Sequence, residues 1–408
     1  MPTITKKMKI EIRPSVPSGS VAAPPSKSHV HRLLIAAALS DGESRISGAA
    51  ESEDILATVD CLRALGASVA CDGAGFTVRG CAGRPHADGA ILGCRESGST
   101  LRFLIPASLI GGGAEFCGTC RLIERGIGVY RNILEPCGVR FDVGSDHVRV
   151  GGRLCAGEYV IPGDVSSQFI SGMLFALPLC AGQSRITVTL PFESRAYVDM
   201  TLAALRCAGV EIDRPSEREF VIRGGQTYRP INAAAEGDWS GAAFLYALGD
   251  GVNVTNLDPD SLQGDRVCRE LLQKIAAGYT EAELGDCPDL APALFAAAAI
   301  HGNGAHFGGT RRLAIKESRR ADAMAEELTK FGAHLEIGED SVDVAPGGIH
   351  APNSVLSAHG DHRIVMALAA CAVRVGGIID GAEAVRKSYP SFFSELVKLG
   401  VKISEIGD

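Results

Sequence analysis

The chain has 408 residues, which at roughly 150 per domain suggests two or three domains, two being the simpler expectation. With 46% hydrophobic and 22% charged residues it can build sizeable cores, so global disorder is excluded. The formal charge of −8 disfavours a chain-wide nucleic-acid surface and leaves room only for local basic pockets.

The N-terminal stretch carries Lys6, Lys7 and Lys9, but Glu11 and Arg13 follow without an apolar region, so no secretory signal is expected. Residues 1–19 precede the first helix and could supply a strand to either domain. The pattern then predicts a helix over His31 to Leu39, a strand over Ser44 to Ser47, a second helix over Ile55 to Leu65, and short strands over Ser68 to Ala70 and Phe76 to Arg79. This order recurs. A small polar residue precedes an apolar helical run at Ser28, Ser99, Ser167, Ser240, Asp289 and Asp361, at intervals of 71, 68, 73, 49 and 72 residues. Late in most units a helix runs into glycine before a strand, at Gly66-Ala67, Gly138-Val139, Gly209-Val210, Gly332-Ala333 and Gly400-Val401.

Six βαβαββ-like units of about 70 residues therefore fill the chain, the fourth being clipped. A single solenoid is disfavoured, because solenoid repeats run about 20–50 residues. Two α/β (α+β) domains of three units each fit better, dividing near Ile231 to Glu236. The expected division is 20–235 for the first domain, and 1–19 with 236–408 for the second. The longest apolar runs, such as Ala291 to Ile300, fall short of the ~20 residues that span a bilayer. Thirteen cysteines, read as scattered singly without metal-ligand spacing, suit a reducing cytoplasm and no metal site.

Ser and Asp at helix starts are ordinary caps. Their neighbours are less ordinary: Lys27 and Arg32 flank the first, Arg102 follows the second, and His362 and Arg363 follow the sixth. Cations at a helix N-terminus cost intrinsic stability, and the placement makes sense where an anion is bound. The third start, Val165-Ser166-Ser167-Gln168, offers two hydroxyls and an amide. The fifth, Asp286-Cys287-Pro288-Asp289, is acidic, and a carboxylate among cations is expected to stay ionised. Ile315-Lys316-Glu317-Ser318-Arg319-Arg320 gathers a further run of polar and charged residues.

Pro25-Ser26-Lys27-Ser28 with Arg32, ESGSTLR at 96–102, VSSQF at 165–169, Pro288-Asp289, Lys316-Glu317-Ser318 and Asp361-His362-Arg363 together resemble the 5-enolpyruvylshikimate-3-phosphate synthase family, in order, from about Val21 to Gly400. The resemblance implies a two-domain enolpyruvyl transferase-like fold, three βαβαββ repeats per domain about a pseudo-threefold axis, with the active site in the interdomain cleft. It implies transfer of the enolpyruvyl group of phosphoenolpyruvate to the 5-hydroxyl of shikimate 3-phosphate, with phosphate released and no cofactor or metal required. The small-molecule substrates are then the only partners expected, with no nucleic acid or membrane, for a cytoplasmic monomer that is a glyphosate target.

By position, the resemblance makes Lys27, Ser28, Arg32, Ser166, Ser167, Gln168, Ser194, Tyr197, Asp289 and Lys316 shikimate 3-phosphate ligands. Lys27, Gly98, Arg125, Gln168, Arg320, Arg363 and Lys387 become phosphoenolpyruvate ligands. Asp289 resembles the acceptor of the 5-hydroxyl proton with Lys316 beside it, Glu317 the proton donor or shuttle, and His362 and Lys27 helpers. Asp54 matches a family acidic position, although a helix-surface carboxylate accounts for it equally well. Glu96, Arg312, Arg319 and Gly126 depart from the family pattern.

Two other readings compete. A sister enzyme, UDP-N-acetylglucosamine enolpyruvyl transferase, is suggested by Cys120 five residues before Arg125, but the glycine-rich surroundings are missing. A non-catalytic anion-binding relative is suggested by the departures, and opposed by the retained set Asp289, Lys316, Glu317, His362, Arg363 and Lys387.

Overall fold

The computed structural model describes residues 7–406. Its repeat is visible in how five helices end. Gly66, Gly138, Gly209, Gly332 and Gly400 all take positive φ, between 74° and 99°. The next residue's amide then reaches back to a carbonyl five residues earlier: Ala67 to Leu62, Val139 to Leu134, Val210 to Leu205, Ala333 to Leu328 and Val401 to Leu396. This six-to-one bond satisfies end carbonyls that would otherwise be orphaned, and glycine supplies the left-handed turn without a Cβ clash. The glycine signal read from sequence therefore has a direct structural cause.

Each such helix runs on into an edge strand of a small mixed sheet. In the clearest case Ile91–Arg95 lies parallel to Glu115–Gly118, which pairs antiparallel with His147–Gly151, which pairs antiparallel with Arg140–Val143. The same strand order occurs in five four-stranded sheets among the described residues. Two of them borrow a strand from far along the chain. Asn232–Ala234 joins Glu43–Ser47 in parallel, and Lys9–Arg13 sits between Gly377–Asp380 and Lys402–Ile406. The clipped fourth repeat keeps only Val252–Thr255 paired with Gly19–Ala22. The fold is thus the α/β repeat architecture expected.

The chain divides into two compact units, Pro25–Glu236 (the first unit) and the residues through Pro24 with those from Gly237 onward (the second unit). Pairing with Val252–Thr255 is what carries Gly19–Ala22 into the second unit. Each unit has its own apolar core. The leading helix of most repeats is buried on almost every face, as Gly98–Ser108, Ala291–His301 and His362–Val375 show, which is the pattern of a central rather than a surface helix. Close approach needs small residues. A Cβ on Gly172 would lie 2.2 Å from the Tyr130 hydroxyl and 2.5 Å from the Arg102 carbonyl, so only glycine lets Ser167–Ala176 pack there.

The helix caps differ from those read in sequence. Ser26, Ser97, Ser166 and Asp238 cap where Ser28, Ser99, Ser167 and Ser240 were expected, because their side chains accept the amides two or three residues on. Asp289 is not a cap either: it sits in the one-turn 3-10 segment Pro288–Leu290 ahead of Ala291–His301. Asp361 does cap its helix, accepting from the Arg363 amide at 2.9 Å.

Candidate active site

In the first unit, cations stand at or near the helix starts. Arg32 is buried, and burial pushes its guanidinium down to about 10. Its three nitrogens donate to the Thr201 hydroxyl at 2.8 Å, the Ser28 carbonyl at 2.7 Å and the Tyr197 carbonyl at 2.9 Å. It also stacks on Phe103 and Tyr197. Arg102, likewise buried, donates to Gln168 Oε1 at 2.7 Å and to the carbonyls of Arg125 and Gly126, over the Phe169 ring. The Gln168 amide then donates to Ser99 at 3.0 Å, so one arginine fixes the second and third helix starts together.

Gly98 opens the second of these helices, and a Cβ there would meet the Arg125 guanidinium at 3.1–3.3 Å. A buried hydroxyl chain stiffens this helix start. Thr100 donates to Ser97 at 2.7 Å, Thr58 lies 2.6 Å from Thr100, and His31 Nδ1 lies 2.8 Å from Thr58. Since the Thr100 proton is already committed to Ser97, Thr58 donates to Thr100 and His31 carries its proton on Nδ1. Burial, then Lys27 and Arg32, holds His31 well below its ordinary range. Lys27 pairs with Asp54 at 2.7 Å, and Asp54 is buried, which corrects the helix-surface reading of that carboxylate. Ser166 caps its helix and Ser167 is buried beside it. Ser194 takes φ +55° at the start of Arg195–Cys207 and its carbonyl accepts from the Tyr197 amide.

In the second unit, cations and carboxylates interlock. Asp289 receives Arg320 at 2.8 Å, Arg363 at 3.0 Å and Lys316 at 3.2 Å. Burial pushes its carboxyl up, but Arg363, Lys316 and Arg320 outweigh burial and hold it well below the usual carboxylate range. Arg320 is fully buried and reaches Glu317 at 2.6 Å and Asp361 at 2.9 Å with its other nitrogens. Lys316 is pushed down to about 8, chiefly by burial, with Asp289 opposing and Arg320 and Arg312 adding to the fall. His362 Nε2 lies 2.7 Å from Arg363 Nη1 and must accept there, which leaves the imidazole neutral with its proton on Nδ1. Lys387 donates to the Gly360 carbonyl.

A family model described as EPSP synthase (3-phosphoshikimate 1-carboxyvinyltransferase) matches residues 13–396. The 3-phosphoshikimate 1-carboxyvinyltransferase of Clostridium kluyveri is 39% identical, covering 97% of this chain and 98% of the relative. That of Clostridium perfringens is 37% identical over 96% and 98%. This chain belongs to the EPSP synthase family. It is accordingly an enzyme of the transferase class. Solved structures agree on the fold. EPSP synthase from Acinetobacter baumannii superposes with TM-score 0.78 at 23% identity, covering 97% of this chain and all of that one. The enolpyruvyl transferase NikO from Streptomyces tendae gives 0.73 at 18% identity over 98% and 99%.

Against that membership the departures find ordinary settings. Arg319 is exposed and pairs with Asp322 at 2.8 Å. Arg312 is buried and donates to the Gly285 carbonyl. Glu96 accepts from the Thr119 hydroxyl at 3.5 Å. Gly126 takes φ +77°, a conformation proline cannot adopt. Cys120, with Cys117, forms a C-x-x-C pair that the reading of isolated cysteines passed over; both are free thiols, Cys120 exposed, and burial pushes Cys117 up rather than activating it.

Sequence reasoning also missed Asp265. It is buried, accepts from Ser240 at 2.6 Å, and is pushed up to about 6 by burial and then by Asp289. No local motif marks it. Its partner Ser240, at a helix start, was the available signal.

Proposed function

We propose that this chain transfers the enolpyruvyl group of phosphoenolpyruvate to the 5-hydroxyl of shikimate 3-phosphate and releases phosphate. Lys27, Ser28, Arg32, Ser166, Ser167, Gln168, Ser194 and Tyr197 hold shikimate 3-phosphate, with Asp289 and Lys316 at its reacting hydroxyl. Lys27, Gly98, Arg125, Gln168, Arg320, Arg363 and Lys387 hold the donor. Glu317 protonates the donor's methylene carbon, the 5-hydroxyl oxygen bonds to the adjacent carbon, and Asp289 takes the hydroxyl proton. The tetrahedral ketal phosphate then loses a methyl proton, which returns to Glu317, and phosphate, which carries away the proton that Asp289 took up. The same reading places the enzyme in the cytoplasm as a monomer acting on small molecules. Among the described residues no helix is long and apolar enough to cross a membrane.

The observation that carries the mechanism is Asp289 among three cations. Held that strongly by its cations, the carboxylate is a weak base. Phosphoenolpyruvate brings negative charge that competes for Arg320 and Arg363, loosening their hold and raising Asp289's proton affinity at the moment of reaction. Lys316, with a proton affinity near neutrality, is suited to pass that proton on. The test is phosphate release with both substrates and with each omitted in turn. Release from phosphoenolpyruvate without shikimate 3-phosphate, or none with both, sinks the reading.

A further inference from the structure

Glu327 lies two turns along the Arg320–Lys330 helix from Arg320 and is fully buried. A carboxylate taken out of water must be paired, and this one has several donors. Lys330 reaches both oxygens, at 2.8 and 2.9 Å. The Ser357 amide donates to Oε2 at 2.9 Å, and His359 Nε2 lies 2.9 Å from Oε1. Glu326 and His359 also bring ligand atoms within 4.8 Å of Glu327, but the Lys330 ammonium already supplies the cation there, so the cluster is not a metal site.

Two of Glu327's partners belong to one segment, and that segment leads into the donor ligands. His359 takes φ +48°, a backbone that a side-chain-bearing residue keeps only when its surroundings dictate it. Gly360 follows, and its carbonyl accepts from Lys387. Asp361 comes next; it holds Arg320 Nε and caps the helix that carries Arg363. A single helix therefore grips the segment twice, through Arg320 on Asp361 and through Glu327 on Ser357 and His359.

We propose that Glu327, with His359, is a positioning residue for the donor: it clamps residues 357–361 so that the Gly360 carbonyl sets Lys387 and Asp361 sets Arg320 and Arg363. This rests on the reading of Lys387, Arg320 and Arg363 as phosphoenolpyruvate ligands. Glu327 itself touches no substrate.

The experiment measures both Michaelis constants, turnover, and amide exchange for Glu327→Gln and His359→Asn. Asparagine tolerates the left-handed backbone but is too short to reach Glu327. Glu327→Gln should raise the phosphoenolpyruvate constant about tenfold or more, the cost of lost hydrogen bonds to a charged group, while turnover and the shikimate 3-phosphate constant stay within about threefold. His359→Asn should shift the same constant by about threefold. The Ser357 amide should exchange faster in Glu327→Gln. Equal shifts for both substrates, or a fall in turnover with the phosphoenolpyruvate constant unchanged, would overturn the proposal. Should Glu327→Gln fail to fold, His359→Asn decides by the same criteria. Unaltered Ser357 exchange in Glu327→Gln refutes the clamp whatever the wild type turns over, whereas absent phosphate release in the wild type refutes the functional reading and leaves the clamp to the exchange result.

Discussion

Arg32 in the first unit and the arginines around Asp289 in the second handle positive charge in opposite ways. Arg32 of the first unit rests on two carbonyls, a hydroxyl and two aromatic faces, none of which cancels a charge, although Lys27 on the same helix does pair with a carboxylate, Asp54. Arg320, Arg363 and Lys316 of the second share three carboxylates, Asp289, Glu317 and Asp361. Neutral partners fix geometry and leave the field of the guanidinium intact, as anion capture requires. Interlocked charges nearly cancel and leave proton affinities poised to shift when a charged ligand intrudes, as acid–base work requires. On the proposed function, the first arrangement serves binding, and the second serves both binding and the reaction.

Asp289→Ala gives the largest expected effect, because it breaks the interlock at its centre. Turnover should fall about a hundred- to ten-thousandfold, as for loss of a general base, with shikimate 3-phosphate binding weakened less. Phosphate release and circular dichroism read this, and a folded variant at near wild-type rate would pass the base role to Lys316 or Glu317. Lys387→Ala comes next. Lys387 donates to the Gly360 carbonyl and is read as a donor ligand, so its loss should act on binding and raise the phosphoenolpyruvate Michaelis constant roughly ten- to hundredfold with a smaller change in turnover. A turnover loss alone would blur the contrast.

Lys316 sharpens the comparison through pH. Its proton is present below about 8 and leaves above it. If its charge is needed beside Asp289, activity holds on the acid side and falls about tenfold per pH unit beyond 8, the slope of one ionisation. Lys316→Arg cannot lose its proton in that range, so whatever its absolute rate the alkaline limb should move beyond pH 10. A limb that stays near 8 assigns it to another group. Gly98→Ala is the mildest change. The new methyl would press on the far end of the Arg125 side chain, which can yield by a few tenths of an ångström. Thermal stability should hold, and the phosphoenolpyruvate constant should rise only severalfold.

The fold was legible because its repeat writes itself in backbone chemistry: a left-handed turn wants glycine, and five glycines fell in phase. The cap positions slipped by one or two residues, since runs such as Pro25-Ser26-Lys27-Ser28 offer two hydroxyls and only backbone dihedrals choose between them. The site residues were readable where they crowd into short motifs at helix starts. Asp265, Glu327 and His359 were not, because each matters through a partner distant in sequence. Glu327 sits in a helical run where an exposed glutamate would look the same, and only burial against residues 357–359 distinguishes it.

The borrowed strands also constrain how the chain is made. Asn232–Ala234 closes the first unit's opening sheet, so that unit has all its strands once residue 236 has been synthesised. Lys9–Arg13 waits longer: its two neighbours, Gly377–Asp380 and Lys402–Ile406, are translated only after the whole of the first unit and most of the second. At 5–20 residues per second the wait lasts on the order of twenty to eighty seconds. During that interval an early strand with two unpaired edges trails behind a finished unit, and this is where a nascent chain invites chaperones or mispairing.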